Sequence, residues 1–222
     1  MTGMNNEGIS TSETVNDDEI IARILHGEKD LYSIIVRRYN QRLYRIGMSM
    51  INDDAEVEDA MQVAYINAYE NLGKFGFRSS FPTWLTRIFI NECLLRLKKR
   101  KKSISMNDEN MEHVMRQNKE FHTPVTATVN SELRSILNDA ISQLPEIYRT
   151  VFVMREIENM NVAETKECLN ISEVNVKVRL NRAKAMLRDL LSAQYSKEDI
   201  LHFHLSRCDR MVDIVMRSIG NL

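Results

Sequence analysis

The stretch Asn161–Leu190, NVAETKECLNISEVNVKVRLNRAKAMLRDL, decides the fold. Asn161-Val-Ala-Glu164 has the form of a capping signal and starts a short helix that ends near Leu169. Asn170 sits where a left-handed turn residue is wanted, and Asn tolerates that conformation. Ser172 can cap a last helix, 173–191, with Val176, Leu180, Ala183, Leu187 and Leu190 turned inward. A short helix, a tight turn and a longer helix with bases outward is a helix-turn-helix pattern. Asn175, Arg179 and Arg182 form one outward row, and Lys177, Asn181, Lys184 and Arg188 form another. Arg and Lys suit guanine edges and phosphates, and Asn suits adenine or phosphate. The bland alternative is a solvated helix with ordinary surface bases.

Working outward, Leu133, Ile136, Leu137, Ala140, Ile141 and Leu144 make an amphipathic stripe, and Pro145 opens a further helix over 145–157 with Tyr148, Val151 and Phe152 inward. Residues 103–130 lose periodicity and read as a linker, with a short helix near 108–120, so the domain boundary falls here. Before it, Leu31, Ile35, Tyr39, Leu43, Ile46 and Met50 give a helical pattern over 17–51. The next helix, 54–72, has a buried stripe of Val57, Ala60, Met61, Ala64, Tyr65, Ala68 and Leu72. Val63, Ile66 and Tyr69 add a second apolar row beside Asp59 and Gln62, so this helix is either central in a core or docks a partner. A loop, GKFGFRSSFP (73–82), precedes a helix from about 82 to near 100. Trp84, Leu85, Ile88 and Leu95 can face a core there, and Thr83, Arg87, Asn91 and Lys98 line another face. Residues 1–16 read as a disordered tail; 192–222 is a separate tail whose amphipathic helix carries Cys208, Met211, Val212, Val215 and Ile219.

Composition narrows the class. Seven Gly and three Pro in 222 residues are too few for an all-β sandwich and favour an all-α fold. No run of 18 apolar residues exists, and the polar, acidic N-terminus is no secretory signal, so a cytoplasmic protein is expected. Three dispersed Cys suggest neither a disulfide framework nor a zinc pattern. His202 and His204 point to different sides of a helix and make a poor metal site. There is no Gly-rich phosphate loop, GxSxG or HExxH, so no enzyme, cofactor or metal is expected.

The net charge of −1 conceals local asymmetry, with seven acids in residues 1–30 and six bases in the seven residues RLKKRKK, 96–102. Phe75, Phe77, Phe81 and Trp84 interleave with Arg78, Arg87 and that basic run. Aromatics on which bases stack, beside cations that hold a backbone, suit single-stranded nucleic acid, although Trp84 and Phe81 also fit a core.

Residues 53–100 resemble the promoter-melting domain of an extracytoplasmic-function (ECF) sigma factor, through Glu58-Asp59, Gln62, Tyr65, Phe81, Thr83-Trp84-Leu85, Ile88, Asn91 and Arg96. Residues 144–184 resemble that family's C-terminal DNA-binding domain, through Leu144-Pro145, Tyr148-Arg149, Val151-Phe152, Arg155-Glu156, Glu158, Leu169, Ile171-Ser172, Val176-Lys177, Arg179-Leu180 and Arg182-Ala183. The resemblance implies a dissociable subunit of bacterial RNA polymerase. Its first domain would bind the clamp coiled coil and capture non-template bases of the minus-ten element. Its second would dock on the flap and read the minus-thirty-five element as duplex. Carried over, Asp59, Gln62, Val63, Ile66 and Tyr69 would dock on core polymerase. Phe77, Arg78, Ser79, Ser80, Phe81, Trp84, Arg87 and Asn91 would meet the melted strand. Ser172, Asn175, Lys177, Val178, Arg179, Asn181 and Arg182 would meet the minus-thirty-five duplex.

The expected organisation is a tail (1–16), a core-binding and minus-ten domain (17–102), a flexible linker (103–130), a helix-turn-helix domain (131–191) and a tail (192–222). Partners would be core RNA polymerase and promoter DNA, duplex and single-stranded, with an anti-sigma protein as a further candidate. Lys166 stands where the family usually has Ala, so it must snorkel or hold the two helices apart. Val178 stands where a small polar residue is usual and suits a thymine methyl. The competing class is a helix-turn-helix regulator that does not bind polymerase. That class needs an N-terminal receiver or ligand domain with alternating strands and helices, a pattern missing from residues 17–100.

Overall fold

The computed structural model describes residues 16–106 and 131–194. Of the linker expected over 103–130, residues 103–106 instead continue the helix that starts at Phe81, because nothing in that stretch breaks it, and residues 107–130 with the expected short helix lie outside the described residues, as do most of the N-terminal tail and the C-terminal tail beyond 194. Those described form helices α1 (Asp17–Leu25), α2 (Tyr32–Met50), α3 (Asp54–Glu70) and α4 (Phe81–Met106), then α5 (Ser131–Gln143), α6 (Glu146–Phe152), α7 (Val162–Leu169) and α8 (Glu173–Gln194). No strand occurs among them, in line with the all-α expectation.

The pattern over 17–51 resolves into two helices rather than one. The chain turns at Gly27, whose φ of +109° suits glycine alone, and a 3₁₀ turn (Lys29–Leu31) leads into α2. Asp17, at the start of α1, accepts hydrogen bonds from the Arg38 guanidinium and the Tyr39 hydroxyl, which fixes α1 across α2. The Tyr32 hydroxyl donates to the Tyr65 carbonyl at 2.7 Å, and the Tyr65 hydroxyl donates to the Val36 carbonyl at 3.2 Å. Burial, the main cause, raises the pKa of both phenols, so they stay protonated donors.

Asp53 caps α3 by accepting from the Glu56 amide at 3.1 Å. Val57, Ala60, Met61, Ala64, Tyr65 and Ala68 are all buried, as their spacing predicts. The three alanines among them let α3 lie close to α2 and α4. At the tightest point, a Cβ on Gly47 would meet Phe89 Cζ and Val57 Cγ1 at 2.7 Å each. Leu85, Phe89, Ile90 and Cys93 of α4 fill the space beneath α2 and α3. Leu95, placed in the core by its spacing, is instead 54% exposed, because α4 carries apolar residues around its whole circumference and has no clear polar side.

The C-terminal block packs onto the N-terminal one. The last turn of α2 is buried all round, from Ile46 to Ile51, because α6 covers the side left open by α3 and α4. The Arg149 guanidinium, on α6, donates to the Ser49 carbonyl of α2 and the Ser142 carbonyl of α5, both at 2.8 Å. After α6 the helix widens into a π turn (Val153–Ile157), closed by the Glu158 amide donating to the Val153 carbonyl at 2.9 Å. Helix α4 also packs directly against α7, so the two blocks enclose one continuous core. Gly47→Ala should destabilise the chain by about 1–3 kcal/mol through overpacking, measured as a lower urea midpoint with unchanged slope.

Candidate nucleic-acid and polymerase interface

The helix-turn-helix is built as its sequence predicts. The Asn161 side chain accepts from the Glu164 amide at 2.9 Å, and the Glu164 carboxylate accepts from the Asn161 amide at 2.7 Å, completing a capping box. Asn170 is left-handed, at φ +51° and ψ +49°, and its amide donates to the Lys166 carbonyl. Ser172 Oγ then accepts from the Asn175 amide at 3.2 Å and starts α8. Val176 and Ala183 are fully buried and Leu187 nearly so, which holds the opposite side of α8 outward. Ser172, Asn175, Lys177, Asn181 and Arg182 are exposed, Val178 is 40% exposed, and Arg179 is half-buried. The Tyr148 hydroxyl accepts from Arg182 at 3.3 Å, and Lys184 pairs with Glu156 at 2.9 Å, so two of the bases have partners that orient them.

Lys166 corrects an expectation. The buried position on α7 is Thr165, fully enclosed, whereas Lys166 lies outside and pairs with Glu173 across the turn at 3.2 Å. Neighbouring residues differ by about 100° around a helix, so no snorkelling and no helix separation is needed.

The second apolar row of α3 divides. Ile66 is 59% exposed, Asp59 and Gln62 are exposed, and Val63 is half-buried. Tyr69 packs edge-on against Tyr32, with centroids 5.0 Å apart. Arg96 of α4 approaches Asp59 only at 4.0 Å and bonds Glu92 at 2.9 Å.

The loop before α4 separates its aromatics by role. Phe75 and Phe81 are buried, and they pack with half-buried Trp84 at centroid distances of 5.2 to 5.7 Å. Phe81 and Trp84 thus join the core or its edge, where they position the loop. Phe77 is 60% exposed and sits over Phe75 at 4.7 Å. Its φ of +52° is unusual for a bulky residue, and such backbone strain persists where the surroundings hold it. Arg78 and Ser80 are exposed and Ser79 half-buried; Ser80 Oγ lies 2.8 Å from Thr83 Oγ1 at the start of α4.

On α4, Arg87 pairs with Glu167 of α7 at 3.0 Å, and Asn91 lines a cleft of about 590 Å³ between the two helices. Thr83, one turn earlier, is buried beneath α7. Sequence reasoning missed these cross-block contacts, since no local pattern encodes them. No group of three or more metal-ligating side chains occurs among the described residues, nor is any helix there long and apolar enough to cross a membrane. His202 and His204 lie outside the described residues.

Comparison with known proteins agrees with this geometry. The profile for Sigma-70 region 2 matches residues 35–103, and that for Sigma-70 region 4 matches 134–187. The chain is 31% identical over 176 residues to the ECF RNA polymerase sigma factor SigW of Bacillus subtilis, covering 77% of this chain and 94% of the relative. It is 28% identical over 176 residues to the RNA polymerase sigma-H factor of Pseudomonas aeruginosa, covering 76% and 90%. The sigma factor RpoE of Bartonella quintana, solved with the anti-sigma factor NepR, has a similar fold: TM-score 0.60, 16% identity, 74% of this chain and 98% of that one. So does CnrH, solved with the cytosolic domain of CnrY: TM-score 0.55, 22% identity, 81% and 99%.

Because Asn170 holds a left-handed turn, Asn170→Ala should cost about 1–2 kcal/mol while Asn170→Gly should cost little, compared by urea unfolding. The chain belongs to the family of ECF RNA polymerase sigma factors, which direct promoter-specific transcription initiation.

Proposed function

We propose that three surfaces of this sigma factor divide the work of initiation. The face of α3 with Asp59, Gln62, Val63, Ile66 and Tyr69 docks on the clamp coiled coil of core RNA polymerase. The strained loop with Phe77, Arg78, Ser79 and Ser80, supported by Phe81 and Trp84, receives the melted minus-ten strand with Arg87 and Asn91. The outer row of α8, from Ser172 to Arg182, enters the duplex at the minus-thirty-five element. The observation that carries the reading is α8: a helix anchored by Val176, Ala183 and Leu187 that keeps Lys177, Val178, Asn181 and Arg182 in solvent. Its role is binding rather than catalysis, exercised in the cytoplasm with polymerase. One structural neighbour was solved with an anti-sigma factor and another with the cytosolic domain of CnrY, which supports a protein regulator of this chain too.

Reconstitution with core polymerase, followed by transcript mapping on genomic DNA, tests the whole. Discrete new start sites are expected; their absence despite core binding would overturn the promoter assignment. Lys177→Glu with Arg182→Glu should lower promoter-directed transcription about tenfold or more and leave core affinity intact. Asp59→Ala with Ile66→Ala should weaken core binding about tenfold with unchanged helix content, since both side chains are exposed. Phe77→Ala should weaken open-complex formation by about 1–3 kcal/mol, the worth of a stacked base.

A further inference from the structure

Val176, Ala183 and Leu187 mark the buried line of α8. At about 100° per residue, the line opposite it runs through Val174, Val178 and Asn181. Val174 is 68% exposed, the highest value for a large apolar side chain among the described residues, and exposed Val178 follows it by one turn. The cations of the helix do not share this line. Lys177 and Lys184 lie to one side of it and Arg182 to the other. The Tyr148 hydroxyl draws the Arg182 guanidinium toward α6, at 3.3 Å, and Glu156 draws the Lys184 ammonium toward the π turn, at 2.9 Å. The crest of α8 is thus apolar where it begins, and its positive charge forms two flanks.

We propose that Val174 and Val178 read thymine methyl groups in the minus-thirty-five duplex, while the flanking cations hold its two phosphate backbones. The inference rests on the reading of α8 as the duplex-reading helix and assigns the chemistry within it. A helix laid in the major groove presents its crest to base edges and its flanks to the groove walls. The thymine C5 methyl is the apolar group that the base pairs display there. A valine side chain neither donates nor accepts a hydrogen bond, so on the groove floor it gains by covering such a methyl. Residues one turn apart are separated by about 6 Å along the helix axis, which spans about two base steps of 3.4 Å. The element recognised therefore carries two thymines no more than two steps apart. The cations contribute affinity for any duplex, and the valines choose the sequence.

The test uses holoenzyme reconstituted from the full chain and core polymerase, on a promoter found by transcript mapping. Each thymine of the minus-thirty-five element, on either strand, is replaced in turn by deoxyuridine, which removes the methyl and keeps the base pair. Two of these replacements should each weaken promoter binding about three- to fourfold, the worth of one buried methyl. In Val174→Ser with Val178→Ser, the deoxyuridine penalty at those two positions should vanish. Serine is close to valine in helix propensity and both positions are exposed, so the variant should stay folded. The salt dependence of binding should keep its slope in the serine variant and lose about one unit of slope in Lys177→Ala.

An element without two thymines so placed, or deoxyuridine without effect at every thymine, would overturn the methyl reading. So would a deoxyuridine penalty of equal size in the serine variant, because the methyl would then act through DNA shape rather than on valine. An unchanged salt slope in Lys177→Ala would overturn the assignment of the flanks. Each of these results leaves α8 as the duplex reader. That wider reading falls instead if Lys177→Glu with Arg182→Glu leaves promoter-directed transcription undiminished.

Discussion

The closed arrangement depends on the Arg149 guanidinium. It is only 8% exposed, and it spans the carbonyls of Ser49 and Ser142 at 2.8 Å each. Both carbonyls lie in the last turns of their helices, α2 and α5, where no intrahelical amide remains to bond them and where the helix dipole favours a cation. One side chain therefore satisfies the ends of two helices from a third. Because Ser49 belongs to the N-terminal block and Ser142 to the C-terminal one, the same bonds join the blocks. The contact is costly to break halfway, since a buried guanidinium left with one acceptor loses solvation without recovering it.

Around that anchor the seam carries several polar contacts. Ser49 Oγ donates to the Ile46 carbonyl at 2.6 Å, and Thr150 Oγ1 lies 3.4 Å away. The Arg45–Glu158 pair is well buried, with side-chain exposures of 14% and 6%, whereas Arg87–Glu167 is about two-fifths exposed on each side. The first resists salt; the second is screened by it. The seam thus has a firm end near α6 and a yielding end near α7, and the yielding end lies over Thr83 and Arg87 of α4.

Much of this architecture was legible in the sequence. The capping box at Asn161 and Glu164, the left-handed Asn170 and the buried stripe of α3 all follow from short-range rules, because their causes lie within a turn or two of chain. The break at Gly27 had a local cause as well, in a glycine at positive φ, but the strong periodicity on either side of it obscured the boundary. Lys166 shows the limit of family analogy: a register error of one position exchanges an enclosed residue for a solvated one. Met48, Ser49 and the partners of Arg87 were illegible for another reason. Their burial and pairing come from residues 80 or more positions away, which no window can contain. The candidate site followed the same division: the α8 row was readable from periodicity alone, whereas the covering of Thr83 by α7 was not.

The π turn at Val153–Ile157 holds one more residue than an ordinary helical turn, which rotates everything after it by about 100° relative to α6. That rotation brings Glu158 to Arg45 and aims α7 at α4. Deleting one codon there would leave each helix and the exposed row of α8 intact and change only how the two halves face one another. A lineage of such proteins could therefore pass between self-closed and standing-open members through a change in chain length, with no contact residue replaced.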